Sequence, residues 1–480
     1  MKRLLIALIL LQHLAFNIYH SAAAEPPNVL FIAIDDMNDW TTLFDESNPI
    51  RTPNLERLAE RGTFFSKAYC NSPACNPSRA SVLSGVRPAT TGVYGNRSDW
   101  RRALKGVDIL PLHFKKNGYR AYASGKIFHH HGPQYHQYEA FNRYEVFPSS
   151  QPDKPMPAGG NLNGARSWTA GDGSKSPISR NFDWGVYPTN PDDHIDNHTV
   201  AWAIEQIESH DASQPFFIAT GIFRPHMPFY APQEWYDAYP MGTLEMPEVK
   251  GDDLEDIPPA GREMLHPPNR KFMSTFEAEK LRDAFIFEKA VRGYQAASSF
   301  ADYQVGRMLD ALDRSGKADD TIIVLWSDHG FHLGEKNHWE KFVFYEKATR
   351  IPFIIVAPGY KAKQISHRPV SLIDLYPTLV ELCGLPKPDH LEGQSLVPLL
   401  EKPKAKWDPV LITYGEGNHA VRNDRYRYIR YENGNEELYD HSEDPNEWTN
   451  IAHRKGTRKI MDRLAKWMPE THAPEIGPAK

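Results

Sequence analysis

Asn28-Val29-Leu30-Phe31-Ile32-Ala33-Ile34 is an almost unbroken apolar run that ends abruptly in Asp35-Asp36, and Thr321 to Trp326 repeats the pattern before Ser327-Asp328-His329. Short apolar runs without polar alternation predict strands buried on both faces, as in a parallel sheet. Two further strands are predicted at Pro215–Gly221 and Pro352–Ala357. Between them, apolar positions recur at helical spacing over Asn54–Arg61, Leu110–Asn117, His198–Ser209 and a long segment from Thr275 to Arg314, which stops near Gly316. Strands alternating with helices predict an α/β domain built on a large, mostly parallel central sheet flanked by helices.

After about Leu400 the texture changes. Short alternating stretches such as Tyr426–Tyr431, an Asn433-Gly434 turn and an amphipathic segment over Arg454–Trp467 predict a small antiparallel sheet with a helix. The expected division is an α/β domain over residues 25–400 and a C-terminal antiparallel subdomain over 401–480. Residues 148–193 are rich in Pro, Gly, Ser and Asn, and residues 240–272 in Pro and acids. Loops of that length in a compact domain are usually functional or disordered.

The N-terminus reads as a secretory signal. Lys2 and Arg3 precede an apolar run from Leu4 to Phe16, and Ala22-Ala23-Ala24 fits the small-x-small cleavage rule. Removal of residues 1–24 takes away two positive charges and no negative ones, which moves the formal net charge from −6 to −8. A secreted or periplasmic protein is therefore expected, with no transmembrane segment, since the run is too short to span a bilayer. With that charge and no basic stripe, nucleic acid is excluded as a partner and any anion must be recognised locally. Cys70, Cys75 and Cys383 are the only cysteines, too few for a disulfide scaffold. Whether Cys70 and Cys383 pair is left open by the sequence.

Ligands of open α/β sheets collect at the carboxyl ends of the strands. Both apolar runs place acids there, Asp35-Asp36 and Asp328-His329. Three carboxylates converging on one point need a cation between them, and oxygen ligation favours Ca²⁺ or Mg²⁺.

The segment Cys75-Asn76-Pro77-Ser78-Arg79-Ala80-Ser81-Val82-Leu83-Ser84-Gly85 carries more chemistry than any other. Asn76 suits a helix cap, Pro77 a first helical position and Gly85 a terminator, which would set position 75 against a helix N-terminus that favours anions. The segment resembles the activation motif of type I sulfatases, C-x-P-S-R-x-x-x-L-S-G. The resemblance extends over nearly the whole chain after residue 24 and is strongest to the iduronate 2-sulfatase branch. It is carried by Thr52-Pro53-Asn54-Leu55, Lys116-Asn117-Gly118-Tyr119, Gly125-Lys126-Ile127-Phe128-His129 and Arg224-Pro225-His226-Met227-Pro228-Phe229. Ser327-Asp328-His329-Gly330 through Lys341 and Glu437-Leu438-Tyr439-Asp440 complete it.

The resemblance implies an alkaline-phosphatase-like sulfatase fold and a sulfuric ester hydrolase. It implies that Cys75 is oxidised to 3-oxoalanine (formylglycine) by a formylglycine-generating maturation enzyme, and that the hydrated aldehyde is the nucleophile. The metal ligands would be Asp35, Asp36, residue 75, Asp328 and His329, holding one Ca²⁺. Many sulfatases carry Asn where this chain has His329, although the iduronate 2-sulfatase branch has His, and imidazole suits softer metals better than Ca²⁺. By the same resemblance Lys126, His226 and Lys341 grip the sulfate, and Arg79 steadies the formylglycine. His226 is the expected acid for the leaving alcohol and His129 the expected base. Arg97, Trp100, His332, His338 and Trp339 flank these motifs and would suit a sugar subsite, whereas His130 and His131 only prolong a histidine run. The branch implies a sulfated carbohydrate substrate, such as a uronic acid 2-O-sulfate of a glycosaminoglycan or algal polysaccharide. Phosphonate monoester hydrolases and phosphodiesterases of the same superfamily share the cysteine motif and remain an alternative. A carbohydrate-binding protein on a dead sulfatase fold would have lost the nucleophile or the acids, and here all are present.

Overall fold

The first apolar run lies in the middle of an eight-stranded sheet, and its neighbours explain why Val29–Ile34 carry no polar residue. In chain order the strands are β1 (Asn28–Asp35), β2 (Thr63–Phe65), β3 (Arg120–Gly125), β4 (Arg143–Glu145), β5 (Phe216–Pro225), β6 (Thr321–Ser327), β7 (Phe353–Val356) and β8 (Gln364–Ser366). Across the sheet they run β8-β2-β7-β6-β1-β5-β3-β4. The computed structural model describes residues 26–129, 138–147, 162, 182–211, 213–267 and 286–478. The segment expected to be a secretory signal, His130, His131 and most of 148–193 lie outside these residues.

Side chains of β1 alternate between two cores. Val29, Phe31 and Ala33 face helices α1 (Cys75–Ser84), α2 (Leu110–Lys116) and α5 (Leu375–Leu382). Leu30, Ile32 and Ile34 face α3 (Ile195–Ser209) and α4 (Ile286–Arg314). A strand with helices on both faces has no solvent side, so every position from Val29 to Ile34 is apolar. The sheet is mixed. β6, β1, β5, β3 and β4 are mutually parallel, while β7 runs antiparallel to both β6 and β2.

Element positions follow the sequence pattern, with displaced ends. β5 continues past Gly221 to Pro225, and α3 begins at Ile195 because His194 Nδ1 accepts the Asp196 amide at 3.1 Å and caps it. The 240–272 stretch includes a short helix at Pro259–Leu265 among its described residues. The C-terminal strands β9 (Val410–Thr413), β10 (His419–Arg422), β11 (Tyr426–Arg430) and β12 (Glu436–Asp440) form an antiparallel sheet in sequence order. One face of it packs on Met461 and Leu464 of α6 (Arg458–Ala465). The other covers Val343, Phe344 and Tyr345, and so backs the loop that follows Lys341. Among the described residues no helix is long and apolar enough to cross a membrane.

Candidate active site

Four neighbouring parallel strands, β6, β1, β5 and β3, end at one edge of the sheet, and each delivers a site residue just past its end. β6 leads into Asp328 and His329, β1 ends in Asp35 and leads into Asp36, β5 leads into His226, and β3 into Lys126. Parallel pairing sets the register, with Ile34 beside Ser327 and Gly125 beside Gly221. Asp36 adopts φ 66°, a left-handed conformation that turns the chain at the end of β1. The Tyr294 hydroxyl holds that turn, donating to the Asp36 carbonyl at 2.7 Å and accepting the Asn38 amide at 2.9 Å.

Helix α1 presents Cys75 to this edge as its first residue. Ala74 is the N-cap, so the expectation that Asn76 caps the helix is corrected. The Asn76 side-chain amide instead donates to the carbonyls of Gly95 and Ser98, both at 2.9 Å, which ties down the neighbouring loop. Gly85 ends the helix at φ 69°, as the sequence suggested. All ten helix residues are buried. The helix is positioned by polar contacts, with the Ser78 hydroxyl donating to the Asp328 carbonyl at 2.6 Å.

Arg79 is the buckle of the site. Its Nε lies 2.8 Å from Asp328 Oδ2 and an Nη 3.3 Å from Asp35 Oδ1, while its other Nη donates to the Lys126 carbonyl. Lys126 Nζ pairs with Asp35, and Lys341 Nζ lies 2.9 and 2.7 Å from the two oxygens of Asp36. His226 Nε2 is 4.0 Å from Asp36 Oδ2, and its side chain keeps 14% exposure where Lys126 and Lys341 keep 3% each. His226 therefore stands towards the mouth of the site and the lysines at its floor. The His129 side chain adjoins Cys75 and favours its ionised form.

These contacts set the protonation states. Burial opposes ionisation of Cys75, but Lys126, Lys341 and His329 bring its thiol well below the ordinary range. Burial likewise disfavours the Asp35 charge, and Lys126, His226 and Arg79 overcome it, holding the carboxyl well below the usual range. Asp328 goes the other way. Burial and the nearby Asp35 push it up to about 7, against Arg79. Burial works against a charged His329, yet Asp328, Cys75 and Asp36 raise it to about 9. The cluster thus draws positive charge to its centre.

That demand, and the donor set, fit a divalent cation. His329 Nδ1 donates to the Gly330 carbonyl at 3.0 Å, which turns Nε2 towards Cys75 Sγ at 3.2 Å, Asp36 Oδ1 at 3.4 Å and Asp328 Oδ1 at 3.7 Å. Asp35, Asp36, Cys75 and His329 offer ligand atoms all within 4.8 Å of one another, and Asp328 adjoins them.

Some flanking residues turn out to be scaffold. Trp100 stacks on Phe128 at 4.8 Å and is 2% exposed, and Trp339 packs edge-on against Phe182 and Phe287. His338 binds the carbonyls of Leu265 and Lys341 and so braces the lysine. Arg97 is exposed. Trp100, Trp339 and His338 are packing or bracing elements, because apolar neighbours and backbone carbonyls already occupy them. Cys70 and Cys383 are separate buried thiols.

Other site-forming residues carried no sequence signal. Asp196 accepts the amides of Phe223 at 2.7 Å and Arg224 at 3.0 Å, fixing the loop that carries His226. Gly221 allows β5 to lie against the turn at Lys126, whose amide donates to the Gly221 carbonyl at 3.0 Å. A Cβ at Gly221 would stand 2.2 Å from the Lys126 carbonyl carbon and oxygen. Gly221→Ala is therefore expected to shift Lys126 and lower turnover by roughly 10²-fold, the scale of a misplacement near 1 Å. Steady-state kinetics beside an unfolding curve checks it; native turnover would show that Lys126 is not held through this contact.

The sequence matches the sulfatase family over residues 27–385, and the family of the N-sulphoglucosamine sulphohydrolase C-terminal region over 334–473. It is 39% identical to a sulfatase of Formosa agariphila, covering 94% of this chain and 87% of that one. It is 29% identical to the iduronate 2-sulfatase of Mus musculus, with 82% and 77% covered. The solved structure of a 2-O GAG sulfatase superposes with a TM-score of 0.69 at 25% identity, covering 92% of this chain and 90% of that one.

Proposed function

The chain belongs to the type I sulfatases and is a sulfuric ester hydrolase, and from that premise we propose that it removes sulfate from a sulfated carbohydrate, in particular a uronic acid 2-O-sulfate. The observation that carries the proposal is the convergence of Lys126, His226 and Lys341 with Asp35, Asp36 and Asp328 around the buried first residue of α1. The likeness to an iduronate 2-sulfatase and to a 2-O GAG sulfatase supports the substrate class.

Formylglycine at position 75, when formed, supplies a hydrated aldehyde hydroxyl as nucleophile. A divalent cation at Asp35, Asp36, residue 75, Asp328 and His329, when bound, neutralises charge on the sulfate oxygens. Ca²⁺ is the proposed ion, with His329 the one nitrogen donor in an oxygen-rich set. The chain's own groups do the rest. Lys126 and Lys341, fixed at the floor, hold the sulfate oxygens by charge-assisted hydrogen bonds. Arg79 keeps Asp35 and Asp328 apart and aligned. His226, at the mouth, hands a proton to the departing alcohol oxygen. His129, on residue 75, takes a proton from the group there so that sulfate can leave. Complete burial of Cys75 supports its conversion by the maturation enzyme before the chain closes over it. Secretion after loss of residues 1–24 belongs to the same proposal.

The test is sulfate release by matured enzyme from defined sulfated oligosaccharides. A non-reducing-end uronic acid 2-sulfate should be turned over best; faster hydrolysis of an aryl phosphodiester than of every sulfate would move the chain to the phosphonate and phosphodiester hydrolases.

The role of His226 has its own test. A sugar hydroxyl is a poor leaving group and needs a proton, whereas a nitrophenolate departs nearly unaided. His226→Ala should slow a sugar sulfate by roughly 10²–10⁴-fold, the usual contribution of general acid catalysis. Nitrophenyl sulfate should lose only the part due to binding. Equal losses on both substrates would reduce His226 to a binding residue.

A further inference from the structure

A second cavity, of about 400 Å³, lies beyond the Lys341 loop, between the α/β domain and the C-terminal sheet. That volume falls within the roughly 300–1,000 Å³ of small-molecule sites. None of Cys75, Lys126, His226 and Lys341 lines it. Its wall includes Lys67, Lys347, Arg350 and Arg422, with the half-buried indoles of Trp40 and Trp448 beside them.

The acids on this wall are largely committed. Glu346 accepts the Tyr69 hydroxyl at 2.9 Å and pairs with Arg427. Glu447 pairs with the same Arg427 and accepts His441 Nε2 at 2.9 Å and the Glu346 amide at 2.7 Å. Glu346, His441 and Glu447 therefore form an ion-pair network around Arg427, which fills the position a metal would need. Asp39 serves both Lys347 at 2.9 Å and Arg350 at 3.2 Å, and Arg350 Nε also lies 4.0 Å from Glu346 Oε1.

Donors are left over. Among the described residues Lys67 Nζ has one hydrogen bond, to the Asp424 carbonyl at 3.1 Å, and Lys347 Nζ has one, to Asp39. An ammonium carries three N–H groups. Arg422 is 1% exposed, and its Nε has no hydrogen-bond partner, with Glu346 Oε2 3.5 Å away. His332, also 1% exposed, donates Nδ1 to the Glu335 carbonyl at 3.1 Å and leaves Nε2 without a hydrogen bond. The buried Arg422 Nε and His332 Nε2 are costly to leave without partners, so a ligand that satisfies them is favoured, while the partly exposed Lys67 and Lys347 have N–H groups free to join it. The unmet groups ask for an anionic oxygen at the cations and a hydroxyl at His332. The indoles offer an apolar face on which a sugar ring can lie.

We propose that this cavity is a second carbohydrate-binding site, separate from the reaction centre, for a sugar unit bearing a carboxylate or sulfate ester. The inference rests on the sulfated-carbohydrate reading of the function. It extends that reading to a polymer held at two points, since Asp39 lies three residues beyond Asp36 and Lys347 six beyond Lys341. The two sites hang on the same two loops.

Isothermal titration of the full chain with D-glucuronate, D-glucose 6-sulfate, inorganic sulfate and D-glucose tests it, on the native protein and on Lys67→Ala and Trp448→Ala. At least one of the two anionic sugars should bind and D-glucose should not; which one binds identifies carboxylate or sulfate ester. Each substitution should weaken that binding by about tenfold, the scale of one charge-assisted hydrogen bond or one lost ring contact. Turnover of nitrophenyl sulfate should stay native in both variants. Identical isotherms in native protein and both variants would overturn the proposal, as would the absence of binding. Inorganic sulfate binding as tightly as the sugars, with Trp448→Ala silent, would reduce the cavity to an anion site and also overturn it. Failure of the functional reading looks different: no sulfate released from any sugar sulfate, with calorimetric binding intact.

Discussion

Cys75→Ala is expected to yield a folded protein that hydrolyses sulfate esters roughly 10⁴–10⁶-fold more slowly than the native enzyme, the range seen when an enzyme loses its nucleophile. The substitution removes one buried sulfur from the first turn of α1 and leaves the rest of the helix untouched. Alanine suits a helix, the Asn76 clamp on the 95–98 loop does not involve the sulfur, and Ser78 and Arg79 keep their bonds to Asp328. The unfolding transition should therefore stay close to native while turnover collapses. Residual activity within tenfold of native would mean that residue 75 is not the nucleophile.

Asp35→Ala should fail in both respects. Asp35 is fully buried, pairs with Lys126 Nζ and lies 3.3 Å from an Arg79 Nη. Its removal leaves the Lys126 ammonium in the interior without its carboxylate, and breaking one side of such a pair costs about 3–5 kcal/mol. Turnover should fall below detection, because Lys126 loses its anchor and the proposed cation loses a ligand. Denaturant unfolding measures the first effect and elemental analysis of bound metal the second. Native stability would contradict the ion-pair network. A full complement of metal would remove Asp35 from the proposed ligand set.

The sequence made the centre of the site legible because its chemistry is written in local patterns. Asp35-Asp36 and Asp328-His329 follow apolar runs whose lack of alternation already implied a sheet covered on both faces. The Cys75 segment and the Lys126–His129 pair are compact motifs, and the structure brings them to one edge with His226 and Lys341. What depends on distant partners was not legible. Asn76 looked like a cap, yet its amide is committed to carbonyls 19 and 22 residues away, so Ala74 takes the cap position. Trp100 and Trp339 looked available to a sugar until Phe128, Phe182 and Phe287 were seen to enclose them. The reversed direction of β7 has no local signature, since an apolar strand reads alike in both directions. Asp196 and Gly221 read as an ordinary helix-start acid and an ordinary glycine. Their importance lies in backbone groups of β5 and β3 that only tertiary structure sets beside them.

The central claim is that this sulfuric ester hydrolase works through an oxidised residue 75. The most direct measurement is mass spectrometry of the peptide carrying that residue, taken from protein whose specific activity on a sulfate ester has been recorded. The account predicts a peptide lighter than cysteine requires, by the replacement of a CH₂SH group with an aldehyde, in a proportion that rises with specific activity across preparations. A fully active preparation in which residue 75 is an unmodified thiol would contradict it.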